Sequence, residues 1–238
     1  MIDLINFSLS PRLKAVLECV KKCDVLADIG TDHAYLPIEA VRENFCQRAI
    51  ACDINTGPLE IAKKNILAVG FENRIETRLG DGLQPLCENE ADCIVITGMG
   101  GMRILEILSA TPVKAKNARL ILQAQHDMEE LRRFLHSNMY NIIEEKLIRE
   151  RSRFYVILVA QSADASEIVP WTDAEYFLGK IESSDLILYL REMNEKIMGY
   201  IHSISDEETK NLAKKRLAWI TIAEKSIRQH SEKEIKKL

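Results

Sequence analysis

Val25-Leu26-Ala27-Asp28-Ile29-Gly30-Thr31-Asp32-His33-Ala34-Tyr35-Leu36-Pro37 is the stretch on which the fold turns. Its first part is a short apolar run of the kind a strand covered on both faces shows. The run ends at Asp28-Ile29-Gly30, where a glycine can take dihedrals other residues avoid and lets the backbone approach a ligand closely. Taken alone, the same turn also suits an ordinary strand-to-helix connection.

Further apolar runs lie downstream at 48–53, 75–80, 91–98 and 119–124. Between them are helical patterns. Gly57 to Val69 carries Leu59, Ala62, Ile66 and Val69 at helical spacing, with Gly70 placed as a C-cap. Asp127 is placed as the N-cap of a helix holding Met128, Leu131 and Leu135. Alternating strands and helices predict an α/β domain with a parallel, doubly wound sheet and right-handed crossovers. The pattern then changes. Residues 141–150 and 152–161 are two strand-like runs with almost nothing between them, which reads as an antiparallel hairpin. A mostly parallel seven-stranded sheet closed by such a hairpin is the architecture of Rossmann-like class I methyltransferases. Residues 162–172 read as a linker. Beyond them Leu186, Leu190, Met193, Ile197 and Ile201, then Ala213, Leu217, Ile220, Ala223 and Ile227, recur at helical spacing across the polar stretch 203–211. Two antiparallel helices in a hairpin, coiled-coil-like, fit these stripes, whose plain purpose is packing. The expected domains are therefore 1–161 and 162–238.

Four strand ends carry chemistry. The first loop is not G-x-G-x-x-G, because Asp32 and Ala34 stand where later glycines would be. A dinucleotide pyrophosphate wants those glycines and disfavours nearby carboxylates. S-adenosylmethionine has no phosphate, and its sulfonium and ammonium are cationic, so Asp28 and Asp32 suit it better. Gly30, Thr31 and His33 complete that loop. Asp53 follows Gly30 by 23 residues at the second strand end, with Ile54 beside it; an acid there can accept from both ribose hydroxyls, or serve as a loop or capping carboxylate. Gly80-Asp81-Gly82 closes the third run; it is a common turn by itself but places an Asp beside an adenine amino group. Thr97-Gly98-Met99-Gly100 closes the fourth run and should face the transferable methyl group, with a flexible turn as the plain alternative. The Asn/Asp-Pro-Pro-Tyr/Phe motif used to methylate exocyclic amines of bases is missing, which points away from adenine N6.

Composition bounds the rest. The 238 residues, 47% hydrophobic and 29% charged, allow one medium domain and a smaller appendage. The net charge of −4 argues against indiscriminate coating of nucleic acid, although a local basic patch can suffice to bind RNA. Residues 1–160 hold 20 basic and 22 acidic side chains and 161–238 hold 12 and 14, so any RNA surface has to come from clustering on folding. The opening residues lack a charged and then apolar leader, and no apolar run reaches the length of a membrane span. The six cysteines form no C-x-x-C pair and read as reduced thiols. The expectation is a cytoplasmic protein with no metal.

These motifs, in this order, resemble the bacterial tRNA (adenine-22-N1)-methyltransferases, the TrmK family. The resemblance rests on residues 28–37, on Asp53 to Ala62, on Leu79 to Leu83, on Gly98 to Gly101, on Leu9-Ser10-Pro11-Arg12-Leu13 and on residues 153–159. One departure stands out: the family commonly has Leu-Gln-Pro-Asn where this chain has Leu122-Gln123-Ala124-Gln125. The resemblance implies methyl transfer from S-adenosylmethionine to adenine N1 in the D-arm region of tRNA. N1 is normally paired, so the base must be flipped out. Asp32 is the first candidate to stabilise the charge developing on the ring, or else to bind the cofactor ammonium. His33 is the second, as a partner of the base, and Met99 completes the catalytic set. Tyr35 can stack on a base or pack in the core. Arg12, Arg149, Arg151, Arg153, Lys214 and Arg216 are candidate RNA contacts or simply solvated charges, and the three arginines 149, 151 and 153 would share one face if a strand ran through them. A methyltransferase for another substrate, and a non-catalytic RNA-binding protein on a degenerate methyltransferase fold, are the rival readings.

Overall fold

The computed structural model describes residues 8–235, with side-chain surroundings to Gln229. Residues 1–7, part of the stretch read for a leader, lie outside the described residues. The chain divides into two compact units between Pro170 and Trp171.

In the first unit, Ser10 opens α1 (Pro11–Glu18) by accepting the Leu13 N–H at 3.4 Å, with Pro11 in the first turn, where its missing N–H leaves nothing unsatisfied. There follow β1 (Cys23–Ile29), α2 (Tyr35–Arg42), β2 (Cys46–Asp53), α3 (Thr56–Ala68), β3 (Ile75–Leu79), β4 (Cys93–Met99), α4 (Gly101–Ala110), α5 (Pro112–Ala115), β5 (Arg119–Ala124), α6 (Met128–Ser137), β6 (Tyr140–Glu150) and β7 (Arg153–Ser162). One seven-stranded sheet has the order 3-2-1-4-5-7-6. β1 to β5 are parallel, and β7 runs antiparallel between β5 and β6. β1 therefore pairs on one side with β2 and on the other with β4, so the chain's winding reverses there. A crevice opens outside the carboxyl ends of strands flanking such a reversal.

The central strands are buried on both faces: Leu26, Ala27, Ile94, Val95, Ile96, Leu120, Ile121 and Leu122 are each fully enclosed. Burying each large aliphatic side chain is worth about 1.5–3 kcal/mol, and that is what fixes the sheet beneath the site. Arg132 of α6 donates to Glu145 of β6 at 2.8 Å in a fully buried pair. After α3, Gly70 sits at φ +73° and closes the helix as its spacing predicts.

Two expectations are corrected. Asp127 does precede α6, but its side chain caps nothing. It adopts φ +60° instead of the extended backbone a capping side chain needs, and its carboxylate lies 2.7 Å from His126 Nδ1. The arginines of the hairpin do not share one face. β6 stops at Glu150, Arg151 takes φ +56° in the two-residue turn, and Glu150 pairs with Arg153 while Arg149 pairs with Phe154. Side chains alternate along each strand, so Arg149 and Arg153 stand on opposite faces with Arg151 at the tip.

The second unit holds α7 (Asp173–Leu178), α8 (Leu186–Tyr200), a short 3-10 turn at Ile201–Ser203 and α9 (Glu207–Ile235). α7 was not foreseen; it is nucleated by a capping box, in which Thr172 and Glu175 satisfy each other's backbone N–H. α9 begins inside the stretch read as a polar separator, because Asp206 accepts the Thr209 N–H at 2.7 Å and two glutamates occupy the first turn. Both apolar stripes meet in one core centred on Leu190, Ile197, Ala213 and Ile220. No helix among the described residues is long and apolar enough to cross a membrane.

Candidate active site

The first loop is tied down by its backbone. Gly30 N–H and Thr31 N–H both donate to the Cys52 carbonyl at 2.9 Å, so the turn after β1 is fastened to the end of β2. Gly80 N–H donates to the Asp53 carbonyl at 3.0 Å and brings the third strand end alongside. Gly30 stands at φ +74°, and a Cβ built there would collide with Cε of Met99. Gly98 takes φ +79° in a register break of β4 between Thr97 and Met99. That break turns the strand end outward.

Beside this reversal lies a cavity of about 260 Å³, lined by Arg12, Leu13, Asp28, Gly30, Asp32, Leu36, Thr97, Gly98 and Gln125. Five of the residues singled out as cofactor contacts therefore converge. Asp28 is 5% exposed. Burial pushes its carboxyl up to about 6; the Thr31 hydroxyl opposes that rise, and the nearby Asp32 and Asp53 carboxylates add to it. Asp32 is well exposed and lies 3.1 Å from His33 Nε2. His33 adopts φ +60°, and its ring meets Tyr35 edge-on with centroids 5.6 Å apart. Tyr35 opens α2 and is half-buried.

Other predicted residues sit around the cavity or have protein partners. Asp53 Oδ1 accepts the Asn55 N–H at 2.7 Å, which leaves its second oxygen for a ligand, and Ile54 is exposed. Asp81 is ion-paired with Arg103. Gly82, at φ +55°, packs against Ile107, and Gly100 against the His126 ring. Arg149 stacks on Phe154 with its guanidinium carbon 5.6 Å from the ring centre. In the second unit Arg216 lies over Phe177 at 4.9 Å, folded onto its own unit, while Lys214 is exposed and 3.7 Å from Glu207.

The sequence reading missed a polar network behind the cavity. Gln123 is fully buried, and its side-chain oxygen accepts from Arg12 Nη1 at 2.8 Å and from Gly98 N–H at 3.2 Å. Gln123 Nε2 donates to the Ala124 carbonyl at 2.8 Å. Gln125 donates to the Gly98 carbonyl at 2.7 Å. An uncharged polar residue inside the otherwise apolar run Leu120-Ile121-Leu122 was the available signal, because buried polar groups are rare unless partnered.

The chain matches the methyltransferase-domain family model over residues 9–158. It is 41% identical over 160 residues to the tRNA (adenine(22)-N(1))-methyltransferase of Bacillus subtilis, covering 67% of each chain. The Sp1610 structure from Streptococcus pneumoniae, in complex with S-adenosyl-L-methionine, superposes with a TM-score of 0.83 at 30% identity, over 91% of this chain and 100% of that one. TrmK of M. capricolum, in complex with S-adenosyl-homocysteine, gives 0.78 at 29% identity over 92% and 99%. With the strand order, the cavity and these likenesses together, the chain belongs to the class I methyltransferases, in the family of the tRNA (adenine(22)-N(1))-methyltransferases.

Proposed function

We propose that the protein transfers a methyl group from S-adenosylmethionine to N1 of adenosine 22 in tRNA. The observation that carries this reading is the convergence of Asp28, Gly30, Asp32, Thr97 and Gly98 on one cavity at the sheet's reversal point, in a chain 41% identical to an enzyme of that name. The residues fit the cofactor. Asp28 is a buried carboxylate without a cationic partner among the described residues, which an ammonium would supply, and Gly30 lets the turn lie against Met99 where any side chain would collide. When bound, S-adenosylmethionine supplies an electrophilic methyl on a sulfonium sulfur.

In this reading Asp28, Gly30 and Thr97 hold the methionine end. Asp53 takes the ribose hydroxyls. Asp81 and Gly82 flank the adenine, which requires Asp81 to exchange part of its pairing with Arg103. Adenine N1 has an in-plane lone pair, so it bonds to the methyl carbon as the carbon–sulfur bond breaks, and the ring becomes cationic. Orientation supplies most of the acceleration. Asp32 stabilises the developing charge and can take the N6 proton. His33, 3.1 Å away, orients that carboxylate through Nε2. Met99 packs over Gly30 and shields the reacting groups from water. Arg149, Arg151 and Arg153 stand at the β6–β7 tip. β7 runs antiparallel to β5, which brings its start to the carboxyl end of the parallel strands, where an RNA backbone would pass. Lys214 adds positive charge on the second unit.

The test is incubation with labelled cofactor and an unmodified tRNA transcript, followed by primer extension, since a methyl at N1 blocks base pairing. The expected result is one label per tRNA and a stop at the nucleotide immediately 3′ of position 22. Label in protein or small molecules, with none in RNA, would overturn the reading.

A further inference from the structure

Arg12 is held from three sides. Its backbone N–H donates to Glu150 at 3.2 Å, its guanidinium carbon lies 5.4 Å from the centre of the Tyr155 ring, and Nη1 donates to the buried Gln123 oxygen at 2.8 Å. Gln123 also accepts from Gly98 and donates to Ala124, so it cannot rotate without breaking three bonds. Among the described residues the guanidinium meets no carboxylate within ion-pair distance, and its remaining N–H groups are not engaged by side chains. Yet the cavity it lines also holds Asp28 and Asp32.

A cavity with a fixed guanidinium and carboxylates that do not pair with one another matches a ligand carrying both an anion and a cation. An α-amino acid is such a ligand. Resting on the cofactor reading above, we infer that Arg12 binds the carboxylate of the cofactor's methionine end, with Gln123 as its positioning residue. Arginine suits the task, because its planar fork presents two parallel N–H groups to a carboxylate and stays charged. Gln123 fixes the plane of that fork, so little side-chain freedom is lost on binding. The break in β4 contributes as well: it aims Gly98 N–H at the same Gln123 oxygen and so joins the cavity's strand end to its arginine. This moves Arg12 from the RNA surface suggested by its charge to the cofactor cavity.

The test is calorimetric binding of S-adenosylhomocysteine and of its decarboxylated analogue, which lacks only the carboxylate, to the full chain. The wild type should prefer S-adenosylhomocysteine at least tenfold. Arg12→Met should abolish that preference by weakening S-adenosylhomocysteine alone, leaving the decarboxylated ligand within twofold. Arg12→Lys should keep part of it, because it retains charge without the fork. Gln123→Met should reduce the preference with the same selectivity, which a merely structural loss would not do. Circular dichroism confirms that each variant is folded. The inference is overturned if Arg12→Met keeps the wild-type preference, weakens both ligands equally, or leaves both untouched while raising KM for tRNA as a phosphate contact would. A wild type that binds neither ligand overturns the cofactor reading, and this inference with it.

Discussion

Gly30 lies directly beneath the end of the Met99 side chain: the space a Cβ would fill is occupied by Met99 Cε. Two loops from different strands thus close on each other through the absence of a side chain, and Gly30 also stands at φ +74°. Gly30→Ala meets both obstacles. The backbone strain alone costs about 1–2 kcal/mol. Affinity for S-adenosylhomocysteine should fall at least tenfold by calorimetry, with a lower thermal midpoint. Adding Met99→Ala removes the collision but not the strain, so recovery should be partial. Full recovery would show that φ at position 30 does not matter.

Asp28 makes stability depend on pH. Below about 3.8 it is protonated in the folded and unfolded chains alike, and its burial is unpenalised. Between about 3.8 and about 6 the unfolded chain ionises Asp28 while burial keeps the folded chain's carboxyl protonated, so stability present at low pH is lost across that window and levels off above it, where both are ionised. The rise from 3.8 to about 6 corresponds to roughly 3 kcal/mol. Asp28→Asn should flatten the profile of unfolding free energy between pH 4 and pH 7 in urea titrations. It should also weaken cofactor binding, whose affinity in the wild type should climb with pH through about 6 as the carboxylate ionises.

Asp53 and Asp32 should separate kinetically. Asp53→Ala is expected to weaken cofactor binding on the order of tenfold to a hundredfold, about 1.4–2.8 kcal/mol, with turnover at saturation little changed. Asp32→Ala is expected to lower kcat with a smaller effect on cofactor affinity. Steady-state kinetics with cofactor and tRNA varied separately reads both. An Asp32→Ala enzyme with full kcat would assign Asp32 to binding alone.

The hairpin arginines should act through charge. Replacing Arg149, Arg151 and Arg153 together by Gln should weaken tRNA binding and flatten its salt dependence, by up to about one in slope for each phosphate no longer neutralised. Turnover at saturating tRNA should stay within about twofold. An unchanged slope would place the RNA elsewhere.

Much of the site was legible in order along the chain. Asp28 lies at the end of a strand whose continuous apolar run marks it as central, and Gly30 and Asp32 belong to the loop that follows it. Because crevices open at the carboxyl ends of such strands, naming the strand placed the cavity that these residues line. Thr97 and Gly98 were legible for the same reason. The geometry of the hairpin arginines was not, since a two-residue turn between Glu150 and Arg153 decides which face each one takes. Nor was the partner of Asp81, which comes from α4.

The strand-helix order, the closing hairpin and the acidic, glycine-bearing strand ends could all be read along the chain, because these are local patterns set by burial and backbone freedom. The gathering of Arg12 and Gln125 at the same cavity, with Gln123 buried behind it, could not, and it follows from the folded arrangement of the strands. Arg12 and Gln123 are 111 residues apart, and nothing in their local surroundings encodes the pairing. It arises because β5 pairs with β4 and with the hairpin, which brings the buried amide of Gln123 under the first helix, where its side-chain oxygen needs a donor.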